Sequence, residues 1–304
     1  MNWKLKAALA QVLSRIPAGR ALHSYMQRHV TKTLPLPEDD FNDRCRIGFQ
    51  HADVLRNHFG ESAMPTLRLM EFGAGWDLIV PQILFSAGVR HQLLLDLTRL
   101  CAPDLVANAT SRINTLIAEP SRTGSAHAMS RLPPMDAGFD AYLQRLGITY
   151  DAPADASRTG LPDSSIDAAT TSLVLEHVPA ASISAIYREL FRIVRPDGIV
   201  CSSIDMSDHF SHGDPRVTPW NFLTLEESAW QLANADLIYQ NRLRGSEQLA
   251  LLQSAGFAII RADERINASK EVFDAIRPRF VAPFAQMSAA ELIPTQLYVV
   301  ARRP

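Results

Sequence analysis

Short apolar runs alternate with amphipathic segments along most of the chain, and this alternation limits the possible folds more than any other feature. Runs at residues 67–72, 91–97 and 166–174 are each followed by a segment with helical periodicity. Strands that alternate with helices form βαβ units, which build a mostly parallel sheet. The pattern predicts an α/β fold. Further strands are predicted at residues 148–150, 199–205, 257–262 and 296–301.

The first apolar run leads into a loop with two glycines, in the sequence LRLMEFGAGWDLIV at residues 67–80. Gly73 and Gly75 directly follow the strand, at the edge of a parallel sheet where ligands bind. Glycine allows a tight turn and a close approach of backbone to ligand. The predicted helix at residues 77–87 adds free N–H groups at its first turn. This loop is therefore predicted to bind a cofactor.

The same loop excludes two common cofactor classes. A dinucleotide fingerprint needs a third glycine, but Leu78 occupies that position. Glu71 would be poorly placed beside an anionic pyrophosphate and suits a cationic ligand instead. The Lys-Ser/Thr pair of a phosphate-binding loop is absent as well.

Four motifs in order resemble those of class I S-adenosylmethionine-dependent methyltransferases. They are EFGAG at 71–75, LLLD at 93–96, LPDSSIDAATTSLVLEHV at 161–178, and RELFRIVRPDGIV at 188–200. The resemblance covers about residues 67–203 and implies S-adenosyl-L-methionine as cofactor. It also implies a Rossmann-like seven-stranded sheet, mostly parallel, with an antiparallel last strand. Asp77 departs from the family pattern, which often has a third glycine there, and is expected to cap the next helix.

The resemblance implies cofactor contacts at the carboxyl ends of the first four strands. Glu71 would lie near the methionine ammonium, Asp96 would bind the ribose hydroxyls, and Asp155 would accept from the adenine amino group. Leu97 would pack on the adenine. The implied set is Glu71, Phe72, Gly73, Ala74, Gly75, Asp96, Leu97, Asp155, Ala156, Ser172 and Leu173.

Acids and histidines are concentrated after the fifth predicted strand, in the sequence SSIDMSDHFSHGDP at residues 202–215. Methyl transfer to a hydroxyl needs a base for the released proton, and histidine or a carboxylate commonly serves. We therefore predict catalytic residues here, with His209 preferred over His212. The other candidates are Asp208 and, after the fourth strand, His177.

Two other interpretations of this segment remain open. The spacing Asp-x-x-Asp-His-x-x-His, from Asp205 to His212, would also suit a divalent cation, but it does not constrain loop geometry, so no metal is predicted. The residues are equally compatible with loop caps and surface histidines. Trp220 and Phe222, farther along, are expected to form a wall of the substrate pocket.

Residues 230–247 mix aromatic side chains with arginines and are predicted to form a helical lid. Arg242 and Arg244 would suit a polar or anionic substrate, and ordinary helix packing is the alternative. The segment loosely resembles methyltransferases of bacterial glycan and natural-product pathways.

A basic helix is predicted at the start of the chain. It is expected to dock on the core, and contact with a membrane surface is the alternative. Its apolar stripe consists of Leu5, Ala8, Leu9, Val12, Leu13 and Ile16.

These patterns divide the chain into four regions. They are an N-terminal helical cap at residues 1–60, a cofactor-binding core at 61–205, a substrate lid at 206–245 and a completion of the sheet at 246–304.

Composition narrows the class of function. The formal net charge of −2 gives no reason to expect nucleic-acid binding, and no apolar run reaches the length of a membrane span. The three cysteines are far apart and lack metal-site spacing, which favours a cytoplasmic protein with reduced thiols. The oligomeric state is not predicted.

The sequence favours methylation of a small molecule, with a hydroxyl oxygen of a glycan or specialised metabolite as the preferred acceptor. The alternatives are methylation of carbon or nitrogen, or a catalytically silent subunit that binds the cofactor as a scaffold.

Overall fold

The computed structural model describes residues 2–16, 22, 25, 26, 28, 30, 33–119 and 127–304. Its centre is a seven-stranded sheet in the order β3-β2-β1-β4-β5-β7-β6. Parts of the predicted cap at residues 1–60 lie outside the described residues. The strands are β1 Arg68–Phe72, β2 His91–Leu95, β3 Ile148–Asp151, β4 Ile166–Ser172, β5 Val194–Asp205, β6 Ala258–Arg265 and β7 Gln296–Arg302.

Strands β1 to β5 run parallel to one another, and β7 runs antiparallel to both β5 and β6. The fold class and the antiparallel last strand are therefore confirmed. Parallel strands end at one common edge, so the loops that follow β1, β2, β4 and β5 lie side by side there.

Helices cover both faces of the sheet. Within β1, Leu69 packs in one core with Leu55, while the next residue, Met70, packs in a second core with Leu190. Successive strand residues point to opposite faces, so a strand buried on both sides is almost continuously apolar. The helices are α1 Trp3–Ser14, α2 Glu38–Phe59, α3 Ile79–Ser86, α4 Pro103–Ile117, α5 Phe139–Arg145, α6 Ala180–Ile193, α7 Glu227–Ala233, α8 Gly245–Ser254, α9 Lys270–Ile276 and α10 Ala289–Leu292.

The helix after the glycine loop begins later than predicted. Leu78 adopts a left-handed conformation with φ of 52°, and α3 starts at Ile79. Asp77 lies one residue before the cap position, and its Oδ1 accepts from the N–H of Ile79 at 3.4 Å. The expected capping role of Asp77 is thus reduced to one long hydrogen bond.

The predicted helical lid is only partly helical. Helix α7 ends at Ala233, a single 3₁₀ turn covers Asp236–Ile238, and residues 239–244 are extended up to the start of α8. Asn241 explains the extended part, because its side chain donates to the carbonyls of Leu175 and Val178 and joins this stretch to the loop after β4.

Helix α1 docks on the lid region, but Leu13 is the one residue of the predicted stripe that is buried there. Its buried residues are Ala7, Ala10 and Leu13, whereas Leu5 and Val12 are 61% and 60% exposed. The small alanine side chains allow a close approach to α7, where the side chain of Gln11 donates to the carbonyl of Leu232 at 3.1 Å. Within the described residues, no helix is both long and apolar enough to cross a bilayer.

Candidate active site

Backbone hydrogen bonds join the loops that follow the parallel strands. The N–H of Gly73 donates to the carbonyl of Leu95 at 2.8 Å, and the N–H of Leu173 donates to the carbonyl of Ser203 at 2.8 Å. The first bond links the glycine loop to the end of β2, and the second links the end of β4 to β5. The predicted cofactor residues on β1, β2 and β4 are thereby brought to one edge.

The two glycines of the loop have different reasons to be glycine. Both have positive φ values, 75° at Gly73 and 77° at Gly75, which side chains disfavour. A Cβ at Gly73 would lie 2.3 Å from Cγ2 of Val174, whereas a Cβ at Gly75 would meet no described atom within 4 Å. Gly73 is therefore required by packing, and Gly75 borders open space in which a ligand fits.

Asp96 lies at the end of β2 beside that open space. Its Oδ2 accepts from the phenol of Tyr150 at 2.9 Å and from the N–H of Gly75 at 3.3 Å. Burial raises the pKa of Asp96 to about 6, although these hydrogen bonds oppose the shift. The carboxylate is thus held in a fixed position next to the glycine loop.

Glu71 is buried in β1, and its Oε2 accepts from the hydroxyl of Thr170 at 3.0 Å. Burial raises the pKa of Glu71 to about 8, and the nearby charge of Asp96 adds to the shift. A cationic ligand at this edge would favour the charged form of Glu71.

Helix α2 contributes two residues to the candidate site that the sequence did not predict. The guanidinium of Arg44 donates to the carbonyl of Ser172 at 2.9 Å, and its charge acts on Glu71, Asp77 and Glu176. His51, also on α2, is fully buried and its Nε2 lies 3.1 Å from the hydroxyl of Ser172. The only sequence signal was their separation of seven residues, which places both on one helix face.

The remaining predicted cofactor residues lie on the loops after β2 and β3. Leu97 is 73% exposed, which leaves its side chain free to cover a ligand. Asp155 is exposed and its Oδ1 accepts from the N–H of Ser157 at 2.8 Å, while Ala156 is buried in a core cluster.

Two further predicted cofactor residues belong to the glycine loop after β1. Phe72 is buried there, and Ala74 is half-buried.

A group of histidines and acids lies at the ends of β4 and β5, and we call it the His–carboxylate cluster. The ring centroid of His209 is 4.9 Å from that of His177 and 5.2 Å from that of His212. Three of the four predicted catalytic residues are therefore adjacent. The cluster consists of Glu176, His177, Asp205, His209 and His212.

Within this cluster, Asp205 faces two histidines. Its Oδ2 is 3.4 Å from Nε2 of His209 and 3.4 Å from Nε2 of His212. Burial of Asp205 would raise its pKa, but the two histidines and the hydroxyl of Ser207 outweigh that effect and lower it. The carboxylate is therefore charged at neutral pH and orients both rings.

Ser207 determines which nitrogen of His212 carries the proton. The Ser207 hydroxyl donates to Oδ1 of Asp205 at 2.6 Å and lies 3.1 Å from Nε2 of His212. A hydroxyl has one hydrogen, so Ser207 must accept from His212, whose Nε2 therefore bears the proton. The lone pair of His212 is then on Nδ1. Partial desolvation by neighbouring groups lowers the pKa of His212, which keeps the ring neutral at pH 7 and able to accept a proton.

Asp208 and the predicted aromatic wall do not face the site. Asp208 is fully buried, and its oxygens accept from the side chain of Asn221 at 3.0 Å and from the N–H of Phe210 at 2.8 Å. Trp220 and Phe222 are also fully buried, in a separate core with residues of α9. These residues hold the lid region together, and their burial does not support the predicted roles of base and substrate wall.

The two lid arginines also have structural partners. Arg244 is fully buried and donates to the carbonyls of Met206 at 2.7 Å and Leu292 at 3.1 Å. Arg242 donates to the carbonyls of Phe222 and Leu225 and pairs with Glu227. Backbone carbonyl oxygens accept hydrogen bonds from both guanidinium groups. Neither arginine therefore faces an anionic substrate, in contrast to the expectation from the sequence.

Comparison with known proteins agrees with this arrangement. Residues 143–202, from α5 into β5, match the family model described as a methyltransferase domain. Residues 143–202 belong to a methyltransferase domain of the class I S-adenosylmethionine-dependent type. Its cofactor is accordingly S-adenosyl-L-methionine. No curated protein sequence matches the methyltransferase significantly.

Solved methyltransferase structures are similar in fold. An S-adenosylmethionine-dependent methyltransferase from Mesorhizobium loti is 21% identical, with a TM-score of 0.40, and the match covers 78% of this chain and 91% of that one. Geranyl diphosphate C-methyltransferase from Streptomyces coelicolor A3(2) is 13% identical, with a TM-score of 0.45, and the match covers 84% of this chain and 79% of that one.

Proposed function

We propose that this methyltransferase methylates a hydroxyl oxygen of a small molecule, with His212 as the general base. One observation carries the proposal: Nε2 of His212 lies 3.4 Å from Oδ2 of Asp205 and 3.1 Å from the hydroxyl of Ser207. A histidine oriented by a buried carboxylate is a common general base.

The donor side of the site supports cofactor binding by the predicted residues. We assign the glycine loop at 71–75, Asp96 with Leu97, Asp155 with Ala156, and Ser172 with Leu173 to S-adenosylmethionine. The open space beside Gly75 and the fixed carboxylate of Asp96 fit a ribose-bearing ligand. When bound, S-adenosylmethionine would supply an electrophilic methyl group, and its carbon–sulfur bond would break as an acceptor oxygen takes the methyl group.

On the acceptor side, His212 takes the hydroxyl proton on Nδ1 as the new carbon–oxygen bond forms. Asp205 stabilises the imidazolium that results, because its charge faces the Nε2–H side of the ring. His209 was the preferred base in the sequence. Its Nε2 is closed off from solvent, however, whereas the His212 side chain is 57% exposed and can meet an acceptor.

The regions at residues 1–60 and 206–245 are proposed to cover the acceptor as cap and lid. Helix α1 binds the lid at both ends, since the N–H of Trp3 donates to Asp214 at 3.2 Å and the hydroxyl of Ser14 accepts from the N–H of Leu237 at 3.2 Å. A covered site of this kind suits a glycan or a specialised metabolite, and the net charge of −2 does not favour a nucleic acid.

A methyl-transfer assay with matched acceptors tests the proposal. Hydroxyl, amine and activated-alkene compounds of similar size are incubated with the enzyme, and S-adenosylhomocysteine release is measured. We expect turnover of hydroxyl acceptors and a loss of kcat by about 10²- to 10⁴-fold in His212→Gln, with unchanged cofactor affinity. His58→Gln serves as control, because His58 is exposed and its Nε2 contacts only the carbonyl of Asp197 at 2.8 Å among the bonds described.

Turnover confined to amines or alkenes would show that the acceptor atom is nitrogen or carbon and not oxygen. Full activity in His212→Gln would show that His212 is not the base. Tight cofactor binding without turnover of any acceptor would favour the scaffold alternative.

A further inference from the structure

Three potential metal-ligating side chains converge at the inner end of the His–carboxylate cluster. The ligand atoms of Glu176, His177 and His209 all lie within 4.8 Å of one another. Glu176 and His177 belong to a 3₁₀ turn after β4, and His209 belongs to the loop after β5. The pairing of β4 with β5 brings the two loops together.

Two of these side chains have buried polar atoms without a hydrogen bond. Oε2 of Glu176 and Nε2 of His209 are closed off from solvent, and neither makes a hydrogen bond within the described residues. The charged group beside Nε2 of His209 is Oδ2 of Asp205, at 3.4 Å. Glu176 as a whole is only 2% exposed. An unsatisfied buried carboxylate oxygen is costly, and such groups in native proteins indicate a bound water or ion.

The third side chain is already oriented as metal-binding histidines are. Nδ1 of His177 lies 2.8 Å from the carbonyl of Tyr239, so Nδ1 carries the hydrogen and donates it. The lone pair of His177 is therefore on Nε2. A histidine whose second nitrogen donates to a backbone carbonyl is the usual outer support of a metal ligand.

We propose that Glu176, His177 and His209 bind a divalent transition-metal ion, with Zn²⁺ as the best-suited metal. Two imidazoles and one carboxylate match the ligand set of zinc sites that keep a fourth position open for water or substrate. This site goes beyond the proposed methyl transfer to oxygen and does not depend on it.

The geometry requires only a small contraction. Ligands about 2.0–2.1 Å from a tetrahedral zinc ion are about 3.4 Å apart, whereas the present atoms spread over up to 4.8 Å. The exposed side chain of His177 can close this gap by a small shift. Asp205, with Oδ2 at 3.4 Å from Nε2 of His209, adds a second carboxylate charge beside the site.

The local charges also favour a cation. Glu176 and Asp205 place two buried carboxyl groups next to the histidines, and the charge of Asp205 acts on Glu176. Arg44 supplies one positive charge from α2. Buried carboxylates are stabilised by pairing or by metal coordination, so a divalent ion would complete the compensation that Arg44 begins.

Metal binding can be measured without any acceptor or cofactor. The full chain, with its purification tag removed and freed of metal by a chelating resin, is titrated with Zn²⁺ by calorimetry and with Co²⁺ by visible absorption. We expect one ion per chain and the intense visible bands of tetrahedral Co²⁺. His177→Asn and His209→Asn should each weaken binding by at least about tenfold. His58→Asn, at the opposite edge of the sheet, should leave it unchanged.

Folding is monitored separately by thermal unfolding of each variant. His177→Asn is the decisive variant, because replacing an exposed ring should not disturb the fold. The absence of stoichiometric Zn²⁺ binding would overturn the site, and so would equal affinity in His177→Asn, His209→Asn and His58→Asn.

Discussion

The phenolic hydroxyl of Tyr150 donates a hydrogen bond to Oδ2 of Asp96 across 2.9 Å, and so joins the end of β3 to the end of β2. The same phenol accepts from the N–H of Leu100 at 3.1 Å. Asp96 is therefore oriented by a neighbour that is itself fixed. A pre-oriented carboxylate loses little freedom when a ligand binds.

Asp96→Asn should weaken the affinity for S-adenosylhomocysteine by about 10- to 100-fold. A hydrogen bond to a charged group contributes about 1.5–3 kcal/mol, and the amide cannot replace the charge. Calorimetric titration measures the change, with Asp140→Asn, an exposed acid on α5, as the matched control. Tyr150→Phe should have a smaller effect of the same sign. An unchanged affinity in Asp96→Asn would remove this residue from the ribose site.

Cofactor affinity should decrease as the pH falls through about 6. Burial raises the pKa of Asp96 to about 6, so the carboxylate is ionised above that pH and protonated below it. Only the ionised form accepts from two ribose hydroxyls. The Kd should be constant near pH 7 and rise up to about tenfold per pH unit below 6. In the free protein Glu71, with a pKa of about 8, is protonated across this window.

The Asp96→Asn variant separates the titration of Asp96 from that of other groups, because asparagine does not titrate. Its Kd should be flat between pH 5 and 7. A slope equal to that of the wild type would assign the titration to another group.

Gly73→Ala should destabilise the protein more than Gly75→Ala does. Both substitutions place a side chain at positive φ, which costs about 1–2 kcal/mol. Only the methyl group added at Gly73 would also collide with Cγ2 of Val174, at 2.3 Å. Urea unfolding measures the difference. The double variant Gly73→Ala/Val174→Ala should recover part of the loss, and equal stability of the two single variants would contradict the packing argument.

His51→Leu should lower the free energy of unfolding by about 2–4 kcal/mol. His51 lies 3.1 Å from the hydroxyl of Ser172 and 3.0 Å from that of Tyr298, and leucine would remove both of these buried hydrogen bonds. Urea unfolding at pH 7 measures the loss. His58→Leu, at an exposed position, is the control and should change stability by less than about 1 kcal/mol.

The same histidine predicts an acid-dependent loss of stability. Burial lowers the pKa of His51 to about 3, so the unfolded chain takes up a proton near pH 6.5 while the folded chain does not. The stabilising contribution is complete above pH 6.5 and falls by about 1.4 kcal/mol per pH unit towards pH 3. His51→Gln should have a shallower pH dependence between pH 6 and 4 than the wild type, and identical slopes would contradict the assignment.

Local patterns were sufficient to predict the sheet and much of the donor side. The apolar run that ends at Phe72 is directly followed by the glycines. The strand, the turn and the edge of the sheet where a ligand binds can therefore be inferred together. Asp96 and Ser172 were predictable for the same reason, because each follows a strand whose apolar pattern is clear. The carboxyl ends of parallel strands lie along one edge of the sheet. This edge can therefore be located from the sequence without any knowledge of distant contacts.

Features that depend on distant segments were not predictable. Arg44 and His51 reach the end of β4 from a helix more than a hundred residues away, as the separations of 128 and 121 residues show. Trp220 and Phe222 were assigned to a pocket, but Phe273 on α9 buries them. The stripe on α1 had the correct helical period, yet the smaller Ala7 and Ala10 allow closer docking than leucine or valine would.

The contact of Val174 with Gly73 also limits how this enzyme can diversify. Val174 begins the turn that carries Glu176 and His177, so the glycine loop and this turn of the His–carboxylate cluster are wedged against each other. A substitution that reshaped the turn would disturb the glycine loop at the same time. New acceptor preferences would therefore arise more readily in residues 206–245, which can vary while the joined loops stay unchanged.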